Sequence, residues 1–343
     1  MTSSKIPHGW TPALYLLLTA LIAWPLAASP MDSMLGFPNV DGMDTAMLRA
    51  AFARALENPT LMPWSDWVYF PTGFPVLHLM PNWLDHLSAY PLVRGLPFPL
   101  ADNVWWWLVM AANGWAAHRL GLRVGGSHGA GLLAGVGFVV AEPVLREANL
   151  HHAPQSMLFW GPLYIHALLD ALQRPDQHPR AALLAGLYLG AAGLTYWYMA
   201  LFLVLGTAPL LWELGRKPAM KLASVTCVTT APVLAPLLIG WNALPITANG
   251  PGPIIDDLPD SFGAIPESHH FSTLHGSDWG QWQSAPMDIA SGASILLLLA
   301  AIWASRRSGA PDGLPSRSQQ IRIERGLWWM AGLGLVMALG PYL

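Results

Sequence analysis

The chain has 343 residues, of which 53% are apolar and 11% charged, with a mean hydropathy of +0.39 and a formal net charge of −3. A typical soluble domain carries roughly 25% charged residues, so this composition cannot furnish the water-facing surface of a soluble protein of this size, and the near-neutral charge gives nucleic acid no basic face to bind. The one cysteine, Cys227, lies in an apolar stretch, which excludes a disulfide framework and a Cys-x-x-Cys metal site.

The first apolar run, 11–29, follows a thin basic segment at Lys5. Ala27-Ala28-Ser29 resembles a signal-peptide cleavage site, but Pro30 would sit just after the cut, and the run is long enough to span. An uncleaved first span is therefore expected. Further spans are predicted at 101–120, 128–144, 154–172, 181–195, 197–212, 222–241, 288–305 and 326–343. The uncharged stretch 181–212 is too long for one crossing and short for two; Gly193, Thr195 and Tyr196-Trp197-Tyr198 mark the expected break. The fold class predicted is all-α, a single polytopic membrane domain over 1–343 with about nine spans.

Charge fixes the orientation. With a cytoplasmic N-terminus, 13 of the 17 basic residues fall inside, and only Arg49, Arg54, Arg94 and Arg146 fall outside. Fifteen of the 20 acids lie in or beside the outer loops. Basic residues remain inside, so the long loops at about 30–100 and 242–287 and the short one at about 143–154 face outward. A Pro/Gly/Ser/Arg-rich cytoplasmic linker occupies 306–325. The expected location is a bacterial inner membrane, with the long loops toward the periplasm or cell exterior.

In the first outer loop, Asn39 to Thr45 opens a helical pattern running to about Glu57, suited to the membrane interface. Asp41 makes a turn with Gly42 and Asp44 caps the helix in the simplest reading. Alternatively the two acids bind a divalent cation or act as a general base on a hydroxyl. Trp64-Ser65-Asp66-Trp67, followed by Tyr69, sets aromatics around an acid, which suits sugar stacking and equally an interfacial anchor. His78, Asn82, Asp85 and His86 share a helical face, read as the polar side of an interfacial helix in preference to a metal site.

The second outer loop carries Glu142, Arg146, Glu147, His151 and His152 at a membrane boundary, where ionisable groups are costly unless paired or used. Arg146 matches phosphate geometry. Glu147 and His151 stand i, i+4 in a helical turn and could share a ligand or cation; the alternative is a polar turn with an internal Arg–Glu pair. The third outer loop holds Asp256, Asp257, Asp260, His269, His270 and His275 and reads as irregular and solvated.

The order of these parts resembles the GT-C superfamily of polytopic glycosyltransferases. The resemblance rests on one span, a long outer loop with an early Asp pair, Tyr69-Phe70-Pro71-Thr72-Gly73, Asn103 opening the second span, and a His-containing turn before a Trp/Pro-rich span (His151 to Pro162). It covers roughly residues 10–212 and is similar most to bacterial members. It implies transfer of a sugar from a polyprenyl-phosphate or polyprenyl-diphosphate carrier to an acceptor at the outer face. Asp41 or Asp44 would be the catalytic acid, and Arg146, Glu147, His151, His152, Asp66 and Tyr69 would meet the substrate. A divalent cation (Mg or Mn) would be held by Asp44, Glu147 and His151. The second loop lacks the family's Asp-x-Asp, and the C-terminal part of the family pattern is missing after Gly340-Pro341-Tyr342-Leu343. Two other readings are a transporter or lipid flippase working through His118, Arg119, His166 and Asp170, and a non-catalytic or truncated relic.

Overall fold

Prolines set the first helix boundaries. In the computed structural model, which describes residues 10–35, 40–57, 83–240 and 267–269, α1 (Thr11–Ile22) and α2 (Trp24–Ala28) are separated at Ala23, and each carries a proline in its first turn, where a missing amide costs nothing. A short strand β1 (Ser33–Leu35) precedes α3 (Val40–Glu57) and α4 (Trp83–Gly95). The long helix α5 (Phe98–Gly125) ends where Gly126 takes φ +66, a left-handed cap that favours glycine. Ser127 then starts α6 (His128–Val139), its Oγ accepting from the Ala130 amide at 3.2 Å. The rest is α7 (Glu142–Asn149), α8 (Ala153–Ser156), α9 (Trp160–Gln173), α10 (Ala181–Thr195), α11 (Trp197–Glu213) and α12 (Arg216–Gly240). The described residues are mostly helical. One exception falls in the third loop: β2 (Glu267–His269) pairs in parallel with β1, Ser33 opposite Glu267 and Leu35 opposite His269.

The uncharged run 181–212 divides at Tyr196, whose extended backbone (φ −158, ψ 106) separates α10 from α11 where the aromatic triplet predicts a break. The first loop differs from expectation. Because α3 begins at Val40, Asp41 and Asp44 lie within its first turns; the turn at Asp41-Gly42 and the cap at Asp44 are not formed, and the helix starts earlier than its apolar pattern. Among the described residues one stretch, Arg216–Ala235, is long and apolar enough to cross a membrane by length and composition. Thr11–Ile22, His128–Val139, Ala181–Thr195 and Trp197–Glu213 are apolar but shorter. The spans predicted at 288–305 and 326–343 and the linker 306–325 lie outside the described residues.

Glycine lets α1, α5 and α6 approach closely. The Tyr15 ring of α1 packs against Gly114 and Gly135, and its hydroxyl meets His118 Nδ1 at 3.1 Å. Small residues at helix crossings let the backbones approach this closely. A methyl group at Gly135 would strike the Tyr15 phenol and the Gly114 carbonyl. Gly135→Ala is therefore expected to cost about 1–3 kcal/mol, the usual range for overpacking, read as a lower midpoint in a thermal melt; an unchanged midpoint would show the three helices are not this close.

A second core joins α9, α10 and α12 through Tyr164, Leu168, Leu189 and Leu222. There Gly186 lies against the Leu222 carbonyl, and Thr226 Oγ1 donates to the Gly186 carbonyl at 3.0 Å. The C-terminal end of α5 is tied to α9 by Arg123, whose Nε donates to Asp170 Oδ1 at 2.8 Å, while His166 Nε2 stands 3.4 Å from Asp170 Oδ2.

Candidate functional site

Polar groups concentrate at the opposite end, where α5 begins. Asp102 is fully buried one turn into α5, a position where the helix dipole favours a negative charge. Arg49 of α3, 1% exposed, donates from Nη1 to Asp102 Oδ1, and its guanidinium lies over the Trp105 ring at 4.0 Å from the centroid. His151 Nε2 stands 3.2 Å from Asp102 Oδ2. Its Nδ1 lies 2.9 Å from the Leu35 carbonyl, which can only accept, so Nδ1 carries the hydrogen. His151 adopts φ +60, the one non-glycine residue in the left-handed region among the described residues. Holding it there costs on the order of 1 kcal/mol or more, which its two contacts offset.

Asn103 latches the first loop onto α5. Its Nδ2 donates to the Pro30 carbonyl at 2.9 Å and the Ser33 carbonyl at 2.7 Å, while Oδ1 accepts from the Leu35 amide at 3.2 Å. Leu35 thus offers its N–H to Asn103 and its carbonyl to His151, and β1 also pairs with β2. Segments from all three predicted outer loops converge at this one point.

Beside Arg49, the first turn of α4 buries Asp85 and His86. Phe52 of α3 stacks on His86 at 5.4 Å and meets Trp83 edge-on at 5.6 Å. Burial pushes the Asp85 carboxyl up to about 7, with Arg49 opposing the rise. Burial, aided by the Arg49 charge, pushes His86 down to about 3. Both are therefore neutral through much of the acidic range.

A third group lies at the junction of α7, α8 and α11. Glu147 Oε2 and His152 Nδ1 are 2.6 Å apart and half-buried. The Gln155 side chain is hydrogen-bonded to the Tyr196 phenol, which burial raises above its ordinary pKa, with Tyr198 and Glu147 adding to the rise.

The structure sorts the expected residues unevenly. The helix carrying Glu147 ends at Asn149, so the i, i+4 pairing with His151 is not made. Glu147 meets His152, and His151 turns to Asp102 and Leu35. These two therefore do not form part of one cation site, and among the described residues no group of three His, Cys, Asp or Glu side chains could hold a metal. Arg146 is exposed on α7. The side chains of Asp41 and Asp44 lie outside the described residues, as do Asp66, Tyr69, His78, Asn82, Asp256, Asp257, Asp260, His270 and His275. Of the transport candidates, Asp170 pairs with Arg123 and His166 with Asp170 at the far end of α5, His118 meets the Tyr15 hydroxyl, and Arg119 lies over the Trp115 ring. Sequence reasoning did not single out Arg49 and Asp102 as partners; the available signal was an acid opening an otherwise apolar span. Compared with known proteins, the chain matches no family model, no curated protein and no solved structure.

Proposed function

We propose that the chain is an integral-membrane, GT-C-like glycosyltransferase that moves a sugar from a polyprenyl-phosphate or polyprenyl-diphosphate carrier to an acceptor at the outer face. The observation that carries this reading is the convergence of the three loop segments on Asp102, Asn103 and His151 at the α5 N-terminus. That end is the one the positive-inside bias assigns to the outer face, while Arg123, the basic loop 174–180 and the basic first turns of α12 are assigned to the other. Membrane embedding is supported by apolar side chains exposed around the bundle: Leu17 (60%), Trp24 (59%), Trp212 (91%) and Val228 (72%). Soluble monomers rarely expose apolar surface on this scale.

In this mechanism the acceptor oxygen bonds to the anomeric carbon as the bond from that carbon to the carrier phosphate breaks. Asp41 or Asp44 takes the acceptor proton, and the carrier leaves as its phosphate or diphosphate. The Asn103 latch and the His151 contact fix the backbone up to Leu35, one residue before the segment that leads to these acids. Arg146, exposed on α7, supplies a guanidinium for the leaving phosphate. No step is routed through the divalent cation that the resemblance implies, since Glu147 and His151 face different partners.

The test is sugar transfer by the purified full chain from a panel of polyprenyl-linked donors, alongside Asp41→Asn and Asp44→Asn. Loss of a general base typically costs 10²–10⁴-fold, so one variant should lose transfer on that scale. Unchanged transfer by both would reject the proposed base, and no transfer from any donor by the unmodified chain would overturn the reading.

A further inference from the structure

We propose that the junction of α7, α8 and α11 is a sugar-binding subsite, in which Trp197 and Tyr198 form the platform and Glu147 with His152 the polar rim. Trp197 and Tyr198 stack at 3.6 Å between ring centroids with 29° between planes, and Tyr198 continues onto Phe202 at 6.3 Å. The three are 49%, 40% and 44% exposed, so their surface is not consumed by the core. Tyr196, 5.4 Å from Tyr198, links this platform to the polar groups, because its phenol is bonded to Gln155 and feels the Glu147 charge.

Three physical features select the ligand. Aromatic faces are electron-rich, and the C–H face of a pyranose ring presents the matching positive edge. The Glu147 carboxylate accepts hydrogen bonds from hydroxyls, and the His152 contact at 2.6 Å fixes its direction. The same carboxylate repels phosphate, which favours an uncharged, donor-rich ring over a lipid headgroup. Binding sites commonly combine such an apolar platform with a few placed polar groups. Tyr196 breaks the α10–α11 run at the same end of the bundle as His151, so a ring bound here sits on the face where transfer is proposed. The inference rests on the glycosyltransferase reading for the sugar's role, while the binding itself is measured separately.

The experiment is saturation-transfer difference NMR on the full chain in deuterated detergent, with methyl glycosides of glucose, mannose and galactose as probes. At least one glycoside should show saturation of its ring protons. Trp197→Ala and Glu147→Gln should each reduce the signal at least fivefold, and Trp197→Phe should retain most of it. Trp197 is exposed and Glu147 half-buried, and a thermal melt confirms that each variant folds. Full signal in Trp197→Ala and Glu147→Gln, or no signal from any glycoside, overturns the proposal. Quenching of Trp197 by brominated lipid together with no glycoside signal identifies the stack as an interfacial anchor and overturns it as well. If the unmodified chain transfers sugar and Trp197→Ala retains that transfer within twofold, the subsite fails while the activity stands. Glycoside binding lost in the variants, with no donor supporting transfer, leaves the subsite standing and removes the proposed activity.

Discussion

Arg49→Ala is expected to destabilise the protein by about 3–5 kcal/mol, the range for removing one partner of a buried ion pair. Asp102 is fully buried, and without Arg49 its closest remaining counter-group is the ring of His151. The Trp105 face, over which the guanidinium lies, would lose its cation as well. Asp102→Asn should cost less than Arg49→Ala, because Asp85 remains beside the stranded guanidinium and is free to ionise. The informative variant is the double Arg49→Met, Asp102→Leu. Replacing both members of a buried pair by apolar groups of similar size is often neutral or stabilising, so the double should melt well above Arg49→Ala. The readout is the midpoint of intrinsic tryptophan fluorescence against temperature in detergent. A single variant within about 1 kcal/mol of the unmodified chain would show that this pair is not the buried tie between α3 and α5.

That tie explains part of what sequence reasoning could and could not reach. Helices follow from long apolar runs and from Pro, Gly and Ser punctuation, so α5, α6 and the α10–α11 break are legible within a few residues. The polar cluster is different in kind. Arg49 and Asp102 are 53 residues apart on separate helices, and nothing in local spacing records their meeting. What the sequence does record is cost: an arginine inside an alanine-rich helix and an Asp-Asn pair opening an apolar one each require a partner. Spacing also misleads where the backbone leaves the helix. Glu147 and His151 are four apart, but α7 stops at Asn149 and the left-handed turn at His151 redirects its ring toward α5. The parallel ladder between β1 and β2 joins segments more than 200 residues apart and has no signature in either strand's three residues.

Asp85 and His86 should make the stability of this region nearly indifferent to acidification, and either single substitution should expose the dependence that the other cancels. The folded Asp85 carboxyl is held at about 7 by burial, against 3.8 without it. The folded state therefore keeps a proton that the unfolded chain releases. This contribution is complete below about pH 4 and is lost as pH rises toward 7. His86 runs the other way: burial and the Arg49 charge lower it from 6.5 to about 3. Its contribution is complete above about pH 6.5 and is lost as pH falls toward 3, because the unfolded ring takes up a proton that the folded ring refuses. Between about pH 4 and 6.5 the two slopes are one proton each and opposite in sign. Asp85→Asn removes the falling limb, so its melting midpoint relative to the unmodified chain should climb across that window. It should exceed the unmodified value at pH 8, where the native carboxyl is charged in a buried site. His86→Gln removes the rising limb, and its relative midpoint should fall over the same range. Each limb spans a little over three pKa units, at most about 4–5 kcal/mol at 1.36 kcal/mol per unit. Arg49 faces both groups from α3, so repeating the series in Arg49→Met should raise the Asp85 limit and weaken the His86 shift. Midpoints of the two single variants that track the unmodified chain in parallel from pH 4 to 7 would mean that neither group is buried between α3 and α4 as described.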